Sequence, residues 1–180
     1  NLNGMLDYEI ISSKDSVRKG KILVPFCLES ALSGVGERLA PGEKLHYSRS
    51  FSVPRSWKGN NVVLNFGAVD CVCKVSVNGI EVGGHEGGFT PFSIDITSAI
   101  KEGKNTLEVF VEDEVRDSFW GVGKQVRDPK SIWYTSVSGS WQTVWMEPVS
   151  QNGITSLKIP PCVDESCISL KVNTPQTCHM

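Results

Sequence analysis

Asn61–Ile96 reads NVVLNFGAVDCVCKVSVNGIEVGGHEGGFTPFSIDI, and the pattern of this stretch decides the fold. From Cys71 to Asn78, residues Cys71, Cys73, Val75 and Val77 fall on one side and Val72, Lys74, Ser76 and Asn78 on the other. That period of two marks a half-buried strand. Asn78-Gly79 then supplies two residues that tolerate positive φ, as a type I′ turn between antiparallel strands requires. The strand after the turn is expected to be short. Gly83, Gly84, Gly87 and Gly88 bracket His85-Glu86 and read as a loop able to approach a neighbouring backbone or a ligand, with order resuming at Phe89.

Outward from this core the same alphabet repeats. Leu6, Tyr8 and Ile10 suggest an edge strand, and Lys21–Phe26 another that ends around Pro25. Lys44–Val53 alternates through Leu45, Tyr47, Arg49, Phe51 and Val53, which places an arginine in the core register unless its head finds a polar pocket or the sheet's edge. Trp57 is suited to plugging an apolar corner. Leu107, Val109 and Val111 share one side of a strand over Asn105–Asp113, and Trp141–Glu147 closes the domain before Pro148. Only Thr97–Glu102 hints at a helical turn, and no stretch of about 10–15 residues has helical period, so a βαβ plan is excluded. Many short strands separated by Gly, Pro and Asn indicate two packed antiparallel sheets.

The 180 residues hold 18 Lys and Arg against 20 Asp and Glu. Neither sign forms a long run, so there is no electrostatic footprint for nucleic acid or an anionic membrane, and a neutral partner fits better. No apolar stretch reaches the roughly 20 residues of a spanning helix, and the first residues lack the make-up of a signal peptide. Cys27, Cys71, Cys73, Cys162, Cys167 and Cys178 do not form a disulfide framework by spacing; most read as small apolar residues, and Cys162–Cys167 across a hairpin is the one pair worth testing.

Two long loops stand out, Cys27–Leu45 and residues 114–140. The second interleaves Phe119, Trp120, Trp133 and Tyr134 with Arg116, Lys124, Gln125, Arg127 and Asp128. A pyranose offers C–H faces to aromatic rings and hydroxyl edges to planar polar groups, and loops on a rigid scaffold present both. Trp120 and Trp133 could equally fill the core or an interface with a further domain. Other chemistry is poorly served. Glu81, Glu86, Asp70 and Glu147 are scattered and suit solvent or turn capping, His85-Glu86 lacks a third metal ligand, and Gly121-Val122-Gly123-Lys124 departs from a phosphate loop. No motif for a cofactor is found.

Phe66-Gly67-Ala68-Val69-Asp70, Val75-x-Val77-Asn78-Gly79 and Val82 through Phe92, flanked by Phe51-x-Val53-Pro54-x-x-Trp57-x-Gly59, Gly103-x-Asn105-x-Leu107-x-Val109 and Ile132-Trp133-Tyr134-Thr135 with Ser138 through Glu147, together resemble the N-terminal sugar-binding domain of glycoside hydrolase family 2. The resemblance implies an all-β jelly-roll sandwich, galactose-binding-domain-like, over residues 1–149. It implies that residues 150–180 are a linker plus the first strands of an immunoglobulin-like domain, with Ile154–Ile159 and Ser166–Val172 as strands. The partners it implies are a β-glycoside and the absent immunoglobulin-like and TIM-barrel domains, the barrel holding the acid and the nucleophile, so that this chain alone would be inactive. In such enzymes both long loops lie near the active site, and an Asp two residues before the aromatic that enters the Ser-Gly turn bonds the substrate. Alignment on Trp133 puts Ser131 at that position, and serine lacks the charged bidentate acceptor. The substrate-binding candidates are therefore Gln125, Arg127, Asp128, Ser131, Trp133 and Tyr134. A stand-alone carbohydrate-binding module or lectin is the competing expectation.

Overall fold

The structure is a computed structural model that describes residues 1–12, 17–114, 119 and 121–175. Arg116, Trp120, Cys178 and His179 lie outside the described residues. The principal strands are β1 (Gly4–Ile11), β2 (Val17–Val24), β3 (Lys44–Ser52), β4 (Asn61–Phe66), β5 (Val69–Asp70), β6 (Val72–Val77), β7 (Ile80–Glu86), β8 (Phe92–Asp95) and β9 (Lys104–Glu112). The shorter β10 (Gln125–Val126), β11 (Tyr134–Thr135) and β12 (Gly139–Ser140) precede β13 (Val144–Val149). Four more, β14 (Ser156–Lys158), β15 (Pro161–Cys162), β16 (Cys167–Ile168) and β17 (Lys171–Asn173), form a terminal hairpin in which β14 pairs with β17 and β15 with β16.

One layer is a six-stranded antiparallel sheet in the order β2-β1-β3-β9-β6-β7. The other holds β13-β4-β8, extended by the pair β12-β5. Ile10, Leu45, Tyr47, Val75, Val109 and Val111 from the first meet Val62, Leu64, Phe66 and Ile94 from the second in one buried core. Two inward-facing apolar surfaces close on each other, which is the condition for a sandwich. Among the described residues no helix is long and apolar enough to cross a membrane.

Several expectations change in the structure. β1 is interior, because the outer hairpin partner β2 covers it and leaves Val17–Lys21 as the exposed edge. Cys71 belongs to a break between β5 and β6, marked by a cis Asp70–Cys71 peptide, rather than to a continuous strand from Cys71. The glycine run after the turn is strand, not loop: β7 continues to Glu86. The reason is close packing. A Cβ on Gly84 would sit 2.4 Å from the Cys73 carbonyl oxygen on the neighbouring strand. Pro148 falls inside β13 and is tolerated there because β13 is an edge strand.

Other expectations stand. Asn78 and Gly79 have φ of 54° and 79°, the mirror-turn geometry. The Arg49 guanidinium donates to the carbonyls of Leu2 and Asn3, 2.6 Å to the latter, so its polar pocket is the N-terminal backbone. Cys73 is buried, Cys27 is half-buried, and Cys162 faces Cys167 in register with both thiols free. The terminal hairpin leaves Ile154, Leu157, Ile159, Val163, Ile168 and Leu170 exposed, so it has no buried face of its own.

Gly84→Ala should destabilise the chain by about 2–4 kcal/mol, because the clash is with backbone that cannot rotate away. Gly121→Ala, where a Cβ meets nothing within 4 Å, should be close to neutral. Urea unfolding of the two variants compares them directly, and equal midpoints would contradict the close-packing account.

Candidate functional site

One pole of the sandwich gathers the loop after β2, the end of β9, the β4–β6 break and residues 121–140. Its centre is Ser138. Ser138 N donates to Glu29 Oε2 at 2.9 Å, and the Ser138 hydroxyl lies 2.7 Å from both Glu29 Oε1 and Asp113 Oδ2. A hydroxyl has one hydrogen, so two ionised carboxyls compete for it, and a proton on either one relieves the competition. Burial raises the pKa of both Glu29 and Asp113, and their mutual repulsion adds to the rise in Glu29. Asp70 stands beside them with its pKa pushed up to about 7, first by burial and then by Asp113.

The same segment is fixed on its other sides. The Ser138 carbonyl accepts from Leu28 N, and Ser140 N donates to the buried Tyr47 hydroxyl at 3.2 Å. Gly139 pairs with Asp70 across the β5–β12 bridge and has φ of 87°. A Cβ there would fall 2.0 Å from the Tyr47 oxygen, so both conformation and space require glycine.

The six sequence candidates divide into two groups. Gln125 and Arg127 are committed internally. The Gln125 amide donates to Asp70 Oδ2 at 3.5 Å and accepts from Val137 N at 2.6 Å. Arg127 pairs with Glu114 and donates to the Leu39 carbonyl, while Arg38 donates to the Arg127 carbonyl at 2.8 Å. The two long loops thus contact each other through these arginines. Asp128, Ser131, Trp133 and Tyr134 are exposed. Asp128 pairs loosely with Lys130 at 3.3 Å, and Ser131 sits at a φ of 56° in the turn closed by Trp133 N on the Lys130 carbonyl. Tyr134 lies on β11, which runs parallel to β10 with Gln125 opposite Tyr134. Trp133 is 48% exposed and Tyr134 66%, with Ile132 beside them at 62%, so Trp133 does not fill the sandwich core.

Glu29, Asp113 and Ser138 were not among the candidates, and Asp70 was read as a scattered carboxylate. One signal was present: Asp113 continues the register of Leu107, Val109 and Val111, which places a carboxyl on the core side of β9. Glu29 gave no comparable sign, being one charge in a Gly- and Ser-rich loop. His85 is a packing residue, its ring stacked on Phe92 at 4.4 Å and its Nε2 bonded to Thr90 Oγ1 at 2.9 Å.

The carboxyl cluster is engaged within the fold. Glu29 and Asp113 flank the Ser138 hydroxyl. A Cβ on Gly88 would lie 2.2 Å from Asp70 Oδ1, so the Gly88 backbone packs directly against that carboxyl. Asp70, Cys71 and Asp113 bring one donor atom each within 4.8 Å of one another, as do Cys162, Glu165 and Cys167 on the terminal hairpin. The first group is already engaged by Gln125 and Ser138, and no metal is assigned to either.

Two antiparallel layers whose loops gather aromatic and planar polar side chains at one pole define a β-sandwich of the carbohydrate-binding class. The chain belongs to glycosyl hydrolase family 2, with residues 38–147 matching that family's sugar binding domain. Over 110 residues it is 34% identical to a β-galactosidase of Thermoanaerobacter pseudethanolicus, covering 60% of this chain and 14% of that protein. Over 69 residues it is 41% identical to a β-glucuronidase of Paenibacillus borealis, covering 38% of this chain and 12% of the relative. The chain therefore spans a small part of these proteins. In structure it resembles a β-glucuronidase of an uncultured Clostridium species with a TM-score of 0.71 at 23% identity, over 97% of this chain and 33% of the other, a likeness of fold.

The proton on Asp70 sets a pH dependence. The folded carboxyl keeps its proton up to about pH 7, whereas the unfolded one releases it near 3.8. Stability should therefore fall as pH rises between those values and level off above, by about 1.4 kcal/mol per pH unit for each such proton. Asp70→Asn preserves the shape and removes this titration. Urea unfolding from pH 4 to 8 should give a shallower decline for Asp70→Asn than for the native chain, and identical slopes would refute the assignment.

Proposed function

We propose that this domain is the noncatalytic wall of the substrate entrance of a retaining β-glycosidase. Ile132, Trp133 and Tyr134 stand exposed on a segment tied down by Tyr134 N on the Lys124 carbonyl and, just beyond, by Val137 N on Gln125 and Ser138 N on Glu29, and that observation carries the reading. Large aromatic side chains are rarely left in water on a rigid support unless something covers them. A pyranose face and the surface of a neighbouring domain are both suited to do so.

Within this reading Trp133 and Tyr134 contact the sugar or the rim of the catalytic barrel, and Asp128 and Ser131 supply hydroxyl partners. Gln125 and Arg127 act behind them by fixing the loop. Residues 150–175 are the start of a following immunoglobulin-like domain, whose remainder would cover the exposed face of the terminal hairpin. The acid and the nucleophile would belong to a barrel outside these 180 residues. The names of the relatives favour a β-galactoside or a β-uronide as substrate.

Trp133→Ala in the complete enzyme should lower kcat/KM by about tenfold or more while leaving the unfolding midpoint within about 0.5 kcal/mol of the parent, since an exposed side chain contributes little to stability. Steady-state kinetics beside urea unfolding make the comparison. Unchanged kinetics would reduce these aromatics to packing, and turnover of chromogenic β-glycosides by the 180-residue chain alone would overturn the noncatalytic assignment. A lectin-like module would instead bind simple sugars tighter than about millimolar without any barrel.

A further inference from the structure

The opposite pole holds a groove of roughly 520 Å³ that the proposed entrance does not use, lined by Arg55, Trp57, Lys58 and Asn60 on one side and Ile100, Lys101 and Glu102 on the other. Both sides are fixed. The Arg55–Trp57 turn is closed by Trp57 N on the Pro54 carbonyl and Lys58 N on the Arg55 carbonyl, and Asn60 N returns to the Trp57 carbonyl. Opposite, Asn105 is fully buried: its amide oxygen accepts from Lys101 N and Asn78 Nδ2, and its nitrogen donates to the carbonyls of Lys101 and Gly103. A groove with walls this well held needs little ordering to receive a ligand.

Its chemistry is specific. Trp57 is half-buried against the core beside Ile100 and offers part of an indole to the groove. Arg55, Lys58 and Lys101 stand against one anion, Glu102. Arg55 and Glu102 are 3.4 Å apart with side chains 91% and 83% exposed, a solvated pair that a better carboxylate partner can open. Lys58 and Lys101 have no ion-pair partner among the described residues, and neither the chain's net charge of −2 nor a general excess of base accounts for three cations in one groove. The Asn60 amide makes no side-chain hydrogen bond within the described residues. An indole, a free planar amide and unneutralised ammonium groups match the three parts of an acidic sugar: its C–H face, its hydroxyl edge and its carboxylate.

We propose that this groove is a second, noncatalytic binding site for a carboxylate-bearing oligosaccharide, independent of the aromatic rail at the other pole. It would hold a polymeric uronide while the first site engages the end to be cleaved.

Titration calorimetry of the 180-residue chain at low salt, with a short oligogalacturonate and a neutral galactose oligomer of equal length, tests this. Binding of the acidic oligomer should be at least about tenfold tighter than of the neutral one, and should weaken as salt rises and the Debye length shrinks below about 10 Å. Lys58→Glu with Lys101→Glu, both on the surface, should abolish the preference, and Trp57→Leu should weaken binding of either oligomer. In a Trp133→Ala background, which removes the proposed entrance contact, the preference for the acidic oligomer and its salt dependence should remain, which separates this site from the proposed entrance. Equal affinity for the neutral oligomer, an undiminished preference in the double lysine variant, loss of the preference in Trp133→Ala, or no detectable binding at millimolar oligomer would each overturn the proposal.

Discussion

The arrangement of the pole that carries Trp133 and Tyr134 depends on one serine hydroxyl shared by two carboxyls. Glu29 comes from the loop after β2, Asp113 from the end of β9, and Ser138 from the segment that follows the exposed aromatics. Three parts of the chain far apart in sequence meet at one oxygen. Because the hydroxyl brings a single hydrogen, two ionised carboxyls would compete for it, and burial favours keeping a proton by raising the pKa of both. Around this point the other contacts follow in order: Tyr47 on Ser140, Asp70 across from Gly139, and Gln125 bridging Asp70 to Val137. Loss of the shared hydrogen bond would therefore free the segment that carries Trp133 and Tyr134, although neither aromatic touches it.

Most of the sandwich was legible in the sequence because strand burial is a local, periodic signal. Val75, Val77, Leu107, Val109 and Val111 announce the inner face by alternation alone, and Asn78-Gly79 announces the turn. What could not be read was set by neighbours in space. Gly83 and Gly84 look like a loop until Ile94 is found packed against the first and Cys73 against the second. The position of β1 inside its sheet depends on β2 folding back outside it, and nothing in Leu6, Tyr8 or Ile10 encodes that. Residues at the candidate site divide in the same way. The exposed aromatics are visible as composition, whereas the internal engagement of Gln125 and Arg127 depends on Asp70, Glu114 and Leu39, which are distant along the chain.

The two poles are held by buried polar networks of different kinds. At one, buried carboxyls carry raised pKa values, Asp70 up to about 7, so its stability responds to pH. At the other, the Asn78–Asn105 amide pair ties the β6–β7 turn to the start of β9 at 2.8 Å, and amides do not titrate. Amide networks of this sort give directional fixation without charge burial. The domain therefore has one end whose stability changes with proton concentration and one whose geometry does not.

That asymmetry bears on how such a domain serves a larger enzyme. A wall that only presents aromatic and polar groups gains from rigidity, because misplacing a contact by about 1 Å can cost on the order of a hundredfold in rate. Burial also raises the pKa of all three carboxyls at this pole and so opposes their ionisation beside one another. Were Glu29, Asp70 and Asp113 all ionised, their repulsion would act on the loop that positions Trp133. Burial disfavours that state and so lessens the repulsion at the pole that carries the exposed aromatics.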